Sequence, residues 1–321
     1  MKKLIVLLLA LAVVGSAVYA QDVKTSWSAY LDTGFTYNAG TDTLKATGYD
    51  SATPSGRFNL NGSWSYGDFG LKFRLRAQPF YADAGYQNAF VRRAYVYYQL
   101  LGGKVELDSG ILGVASYYTP YNGYGTGDDP NKGFAVQAFP MNGLSVAYFV
   151  PVTIAGDTLA NAFKNSNVAV AYSVPKFADF LFVAKTVGQA NVGLIASANI
   201  TAVDKLSAIV EFENSVAVSD TYNNVTEYFA YDLSPLSVSV AANQHFSTVG
   251  AALYWNVNPG VSYTVSKVTS VGADLGYDSA GVVSGDAWAK FSLGKNYIKT
   301  IGAYDTGSNN FVATVAMVSS F

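Results

Sequence analysis

Apolar and polar residues alternate one by one through most of this 321-residue chain. Between positions 56 and 66, Phe58, Leu60, Trp64 and Tyr66 hold one phase, and Arg57, Asn59, Asn61, Ser63 and Ser65 the other. The next stretch keeps the rhythm, with Leu71, Phe73, Leu75 and Ala77 set against Lys72, Arg74, Arg76 and Gln78. A period of two belongs to an extended strand whose faces meet unlike surroundings. The pattern predicts strands at 26–37, 56–66, 70–79, 89–100, 103–112, 133–140, 143–151, 166–174 and 178–187. It continues at 191–201, 205–214, 224–233, 236–246, 249–266, 270–278, 284–293, 296–304 and 309–321. The stretch 249–266 contains the turn signal Asn258-Pro259-Gly260. Its odd-numbered apolar phase nevertheless runs from Val249 to Val265, so it is read as one bent strand. The direct count is 18, an even number, as single-chain bacterial barrels require. Sixteen stays open if two weak segments are loops.

The connections alternate as well. Tight joins fall at Gly67-Asp68, Leu101-Gly102-Gly103, Met141-Asn142-Gly143, Pro175–Ala178, Ala202–Lys205, Ser234-Pro235 and Gly294-Lys295-Asn296. Longer polar stretches lie between them, at 38–55, 80–88, 113–132, 151–165, 214–223 and 278–284. Short turns at one end and long loops at the other are the plan of a transmembrane antiparallel β-barrel. Composition agrees. Charged residues make up 13% of the chain, against about 25% in soluble proteins. Half the residues are hydrophobic and 15% are aromatic, the aromatics clustering near strand ends where interfacial girdles sit. The fold class is therefore all-β, a transmembrane antiparallel β-barrel of 16–18 strands.

The chain opens with Lys2 and Lys3, then an apolar run from Leu4 to Val14, then small residues through Ala20. Eleven apolar residues are too few to span a bilayer as a helix, which takes about 20. Residues 1–20 are thus expected to be a cleaved signal peptide, with residues 21–321 forming the barrel. The absence of cysteine removes disulfides and thiolate metal sites, and a single His leaves little for zinc chemistry. A net charge of −2 argues against nucleic acid as a partner. No cofactor is implied.

Sixteen or more strands enclose an aqueous lumen, so the inward face should be polar. If Phe58, Leu71 and Phe73 face lipid, then Arg57, Lys72, Arg74 and Arg76 face the lumen, since neighbours in a strand point opposite ways. Arg93 joins them on the face shared with Tyr95, Tyr97 and Gln99, and Lys104 adds a further charge. Arg92 is then expected on the lipid side or at the rim. All five arginines lie between positions 57 and 93, which suggests a basic ladder that concentrates anions. Glu211 and Glu213 share the inward face of a later strand. His245, with Asn243 and Ser247 at alternate positions, has no nucleophile motif around it, so no enzyme activity is expected.

The hairpin Val91–Tyr97, Gly102-Gly103, Val105–Gly110, the hairpin Tyr263–Lys267 with Val271–Tyr277, and the terminal Phe321 resemble the Gram-negative general porins. The apolar face of Phe311, Ala313, Val315 and Met317 ends in register on Phe321, although Ser319 departs from the hydrophobic residue preferred there. The resemblance implies that this strand is the signal read by the outer-membrane assembly machinery. It implies a constriction loop at 113–132, with Asp128 and Asp129 on its acidic side, although that loop lacks the Pro-Glu-Phe-Gly-Gly sequence of several porins. It also implies a homotrimer in the outer membrane, surrounded by its lipids, passing ions and small hydrophilic solutes. Two other barrels remain open: an adhesin that binds ligands through exposed loops, and a structural protein with a closed lumen.

Overall fold

Among the described residues, alternation becomes strand. The computed structural model describes residues 23–47, 57–77, 89–112, 131–152, 158–188, 192–216, 221–247 and 254–321. The first strands are β1 (Val23–Asn38), β2 (Thr43–Thr47), β3 (Arg57–Tyr66), β4 (Phe69–Ala77), β5 (Ala89–Leu100) and β6 (Val105–Leu112). They are followed by β7 (Asn131–Met141), β8 (Leu144–Pro151), the helix α1 (Leu159–Lys164), β9 (Asn167–Val174), β10 (Ala178–Lys185), β11 (Gly193–Ile200) and β12 (Leu206–Val216). The last are β13 (Thr221–Asp232), β14 (Leu236–Ser247), β15 (Tyr254–Thr264), β16 (Thr269–Asp278), β17 (Val283–Leu293), β18 (Asn296–Asp305) and β19 (Asn310–Ser320).

From β3 onward each strand pairs antiparallel with the next, β2 and β3 both pair with β1, and β19 pairs with β1 to close the ring. Nineteen segments make eighteen staves, because β2 and β3 share one position. β2 pairs with Gly34–Asn38 of β1, and β3 with Val23–Asp32. The count of 18 from alternation therefore holds. So does the reading of the Asn258-Pro259-Gly260 stretch as strand interior. Pro259 sits inside β15 opposite Val240, while the ladder to β16 skips positions 258 and 259. Proline lacks the N–H that a ladder uses, and apolar alternation outweighs the turn signal here.

Tight connections gather at one end, at 67–68, 101–104, 142–143, 175–177, 201–205, 233–235, 265–268 and 294–295. Outward aromatics ring both ends of the wall. Tyr66, Phe69, Tyr98, Tyr231, Tyr263 and Phe291 lie near the short turns, and Tyr37, Phe246, Trp255, Tyr277, Tyr304 and Phe311 near the other rim. A wall that is apolar outside with aromatic belts at both margins suits a bilayer.

The helix α1 was not foreseen, since six residues are too few to show a helical period. Thr158 caps it by accepting the Asn161 N–H at 3.2 Å. Its Phe163 stacks on Tyr148 and meets Phe134 edge-on, over the outward side of β7 and β8 where Val150 is fully buried.

Candidate functional site: the lumen wall

Register fixes which side chains share the bore. Asp32 lies opposite Arg57 across β1 and β3, and Asn59 and Asn61 lie opposite Arg76 and Arg74 across β3 and β4. The amides orient the guanidiniums: Arg74 Nε donates to Asn61 Oδ1 at 2.7 Å, and Arg76 Nε to Asn59 Oδ1 at 3.0 Å. Lys72, one step nearer the short turns, lies over the rings of Tyr97 (4.6 Å) and Tyr95 (5.8 Å) on β5. Gly70 makes room for this, because a Cβ there would fall 2.3 Å from the Tyr97 ring. Lys104 is in the turn between β5 and β6, exposed at the mouth rather than on the wall.

Arg92 corrects the sequence reading. Leu75 pairs with Val91 and Phe73 with Ala94, both outward pairs, so Arg92 and Arg93 together oppose the single inward residue Arg74. This is a β-bulge, two residues against one, which interrupts strict alternation. The extra residue turns Arg92 to the lumen side, where its Nε is buried. Simple parity, carried through the bulge, sends it to the wrong face. The basic ladder then comprises Arg57 on β3, Lys72, Arg74 and Arg76 on β4, and Arg92 and Arg93 on β5, three adjacent staves.

Beside it, β6 and β7 carry a carboxylate–amide cluster that the sequence did not single out. Gln137 Nε2 donates to Asp108 Oδ2 and reaches Glu106 Oε1 at 3.5 Å, while Gln99 Nε2 donates to Glu106 Oε2 at 3.0 Å. Glu106 and Asp108 are both buried.

The expectation of a polar inner face fails over the next arc. Leu112, Ala135, Ala147, Phe149, Ala169, Leu181, Val183 and Ile195 all hold inward positions from β6 to β11, and they form one buried apolar cluster with Tyr95. The sequence hid this, because β8–β11 are apolar on both faces, and the phase of a strand is legible only when its faces differ.

Polarity returns at β12. Glu211 and Glu213 are inward and buried, and Lys185 of β10 pairs with Glu213 at 3.6 Å. From Glu211 an inward row runs across the wall. Thr226 Oγ1 donates to Asn243 Oδ1 (2.8 Å), Asn243 Nδ2 to Asn256 Oδ1 (3.0 Å), and Asn258 Nδ2 to the same oxygen (3.1 Å). His245 is also inward, its Nδ1 2.7 Å from Asn224 Oδ1. On β17 and β18, Lys290 and Lys299 lie opposite each other, over Tyr297 (4.2 Å) and Trp288 (4.5 Å), and Trp288 Nε1 donates to Asp274 Oδ2. These two lysines lie on the other side of the β1–β19 seam, on a face that also carries Asp274, Asp286 and Asp305, and inward parity in the sequence could have found them.

With β4 as third stave and β12 as eleventh, the ladder and the Glu211–Glu213 pair stand on nearly opposite sides of the eighteen-stave ring. Asp128 and Asp129, and all but the last two residues of the expected constriction loop 113–132, lie outside the described residues. Phe321 continues the seam: its N–H donates to the Ala29 carbonyl (2.9 Å), and its carbonyl accepts from the Ala29 N–H (3.1 Å). Its side chain is 74% exposed on the outward side.

No protein-family model matches the chain, and no curated sequence matches it. Solved structures do resemble it. Pseudomonas aeruginosa OpdK, solved with vanillate, superposes with a TM-score of 0.59 over 93% of this chain and 98% of its own, at 10% identity. Acinetobacter baumannii OccAB3 gives 0.60 over 93% and 99%, at 9% identity. A mutant of the Rh. blastica porin gives 0.56 over 93% and 100%, at 16% identity. At such identities the likeness is one of fold. Eighteen closed antiparallel staves, outward aromatic belts and these superpositions give the chain the architecture of outer-membrane porins.

Proposed function

We propose that this chain is an outer-membrane porin, a water-filled channel through which ions and small hydrophilic solutes diffuse, with anions favoured by its basic ladder. The observation that carries the reading is six basic side chains on three adjacent inward staves, facing Glu211 and Glu213 across the bore. A low-dielectric wall focuses such a field into the lumen and raises the local concentration of counter-ions. The solute class this favours is small carboxylates and inorganic anions, in keeping with the vanillate found with OpdK.

The rest of the reading follows the plan of such barrels. Residues 1–20 direct export, the short turns face the periplasm, and the strand ending at Phe321 is recognised during assembly. The 113–132 connection, with Asp128 and Asp129, narrows the pore, and three copies associate in the membrane.

Planar-bilayer recording tests the proposal. The wild-type channel shows stepwise conductance, and its reversal potential in a KCl gradient marks chloride as the preferred ion. Replacing Arg74→Ser and Arg76→Ser together moves that potential toward cation preference. A barrel without conductance, or a reversal potential that ignores both substitutions, overturns it.

A further inference from the structure

The outward wall is not uniformly studded with large side chains. Over β11 it falls away into a groove of about 440 Å³. The floor is Ala196 and Ala198, two outward steps of β11. The sides are aromatic or branched: Phe180 and Phe182 stand on β10, directly opposite Ala198 and Ala196, and Val210 and Phe212 stand on β12. Leu194 is the next outward residue of β11 toward the long-loop rim.

Width decides the occupant. Two strand spacings, roughly 9–10 Å, separate the backbones of β10 and β12, and the facing rings take up part of that. A helix of about 10–12 Å diameter does not enter, whereas a single hydrocarbon chain does. The lower end leads to the turns 175–177 and 201–205, held together by the Thr201 N–H donating to the Phe177 carbonyl at 2.8 Å. Each turn carries an exposed lysine, Lys176 and Lys205, beside the one acid Asp204. The acid of β10, Asp179, lies on the lumen side, where Ser173 Oγ donates to it. An apolar slot with two cations at its mouth fits a lipid whose head carries a negative charge.

We infer that the β11 groove is a docking site for one acyl chain of an anionic phospholipid, with its phosphate held between Lys176 and Lys205. Placing that lipid in the periplasmic leaflet rests on the orientation proposed above; the groove itself does not depend on conduction.

Native mass spectrometry of the full barrel, released from detergent with added phosphatidylglycerol or phosphatidylcholine, tests this. The expected result is one phosphatidylglycerol retained per barrel at collision energies that strip phosphatidylcholine. Ala196→Leu with Ala198→Leu fills the floor and lowers retention of both lipids at least fivefold. Lys176→Gln with Lys205→Gln removes the preference for phosphatidylglycerol, and Asp204→Asn strengthens it. Heat-modified gel mobility verifies that each variant is folded, and Ile200→Ala, which opens the mouth without filling the floor, serves if the leucine pair does not fold and should leave retention intact or higher. Unchanged retention in the leucine pair overturns the inference. So does a dimer mass that the leucine pair dissolves, which gives the groove to a second copy, or a preference for lipopolysaccharide over phosphatidylglycerol. Bilayer conductance stays at wild-type level in all these variants, so loss of lipid and loss of the channel reading are separable.

Discussion

Glu227 is a carboxylate on the outward face, in a row with Val210, Ala242 and Val257. The neighbouring step on β13 is Phe229, which is exposed on the same side. A charge among lipid-facing residues costs stability according to its depth, less for acids than for bases. Glu227→Leu is expected to raise the urea midpoint of the barrel in lipid vesicles, a gain of about 1 kcal/mol. Gln137 is its opposite, a buried polar residue that stabilises its neighbours by donating toward both Glu106 and Asp108. Gln137→Leu leaves those buried carboxylates short of a donor, which costs roughly 1–3 kcal/mol in the same unfolding measurement. Alternation assigns each of these residues to its face, yet it cannot say that Gln137 links two acids. That link needs the β6–β7 register, which no local pattern encodes.

At the scale of elements, strands were legible wherever the two faces differ. β3 and β4 follow their predicted spans closely and carry their arginines inward as parity requires. Two kinds of element were not legible. The β5 bulge adds a residue without changing the apolar rhythm on either side, so Arg92 falls on the unexpected face. The apolar strands β8–β11 offer no phase to read, so their inward half passes for lipid-facing wall. The bulge carries its own prediction. Arg92→Ala is expected to reduce chloride preference in bilayers by about as much as Arg93→Ala, because both side chains oppose Arg74. An outward arginine would leave the reversal potential unmoved.

For the molecule as a whole, charge in the lumen is arranged by sector rather than in rings. Basic residues cluster on β3–β5 and recur at Lys290 and Lys299, interrupted by Asp32, Asp286 and Asp305, and the acids of β12 stand across from β3–β5. A field of this kind acts through the water of the bore and is screened by it. The Debye length shrinks from about 10 Å at 0.1 M to about 3 Å at 1 M salt. Chloride preference is therefore expected to fall toward parity over that range of KCl, as read from reversal potentials at a fixed gradient ratio.

The row Thr226–Asn243–Asn256–Asn258 escapes that screening. Its members carry no net charge and gain no proton near neutrality, so neither brine nor a change of acidity rearranges them. The bore is consequently two devices in one cylinder: an ionic side whose influence fades as the medium is concentrated, and an amide side that keeps its contour. In the channel proposed above, dilute surroundings would then sort solutes by sign, and strong salt would leave the same barrel sorting by girth alone, without any part of it having moved.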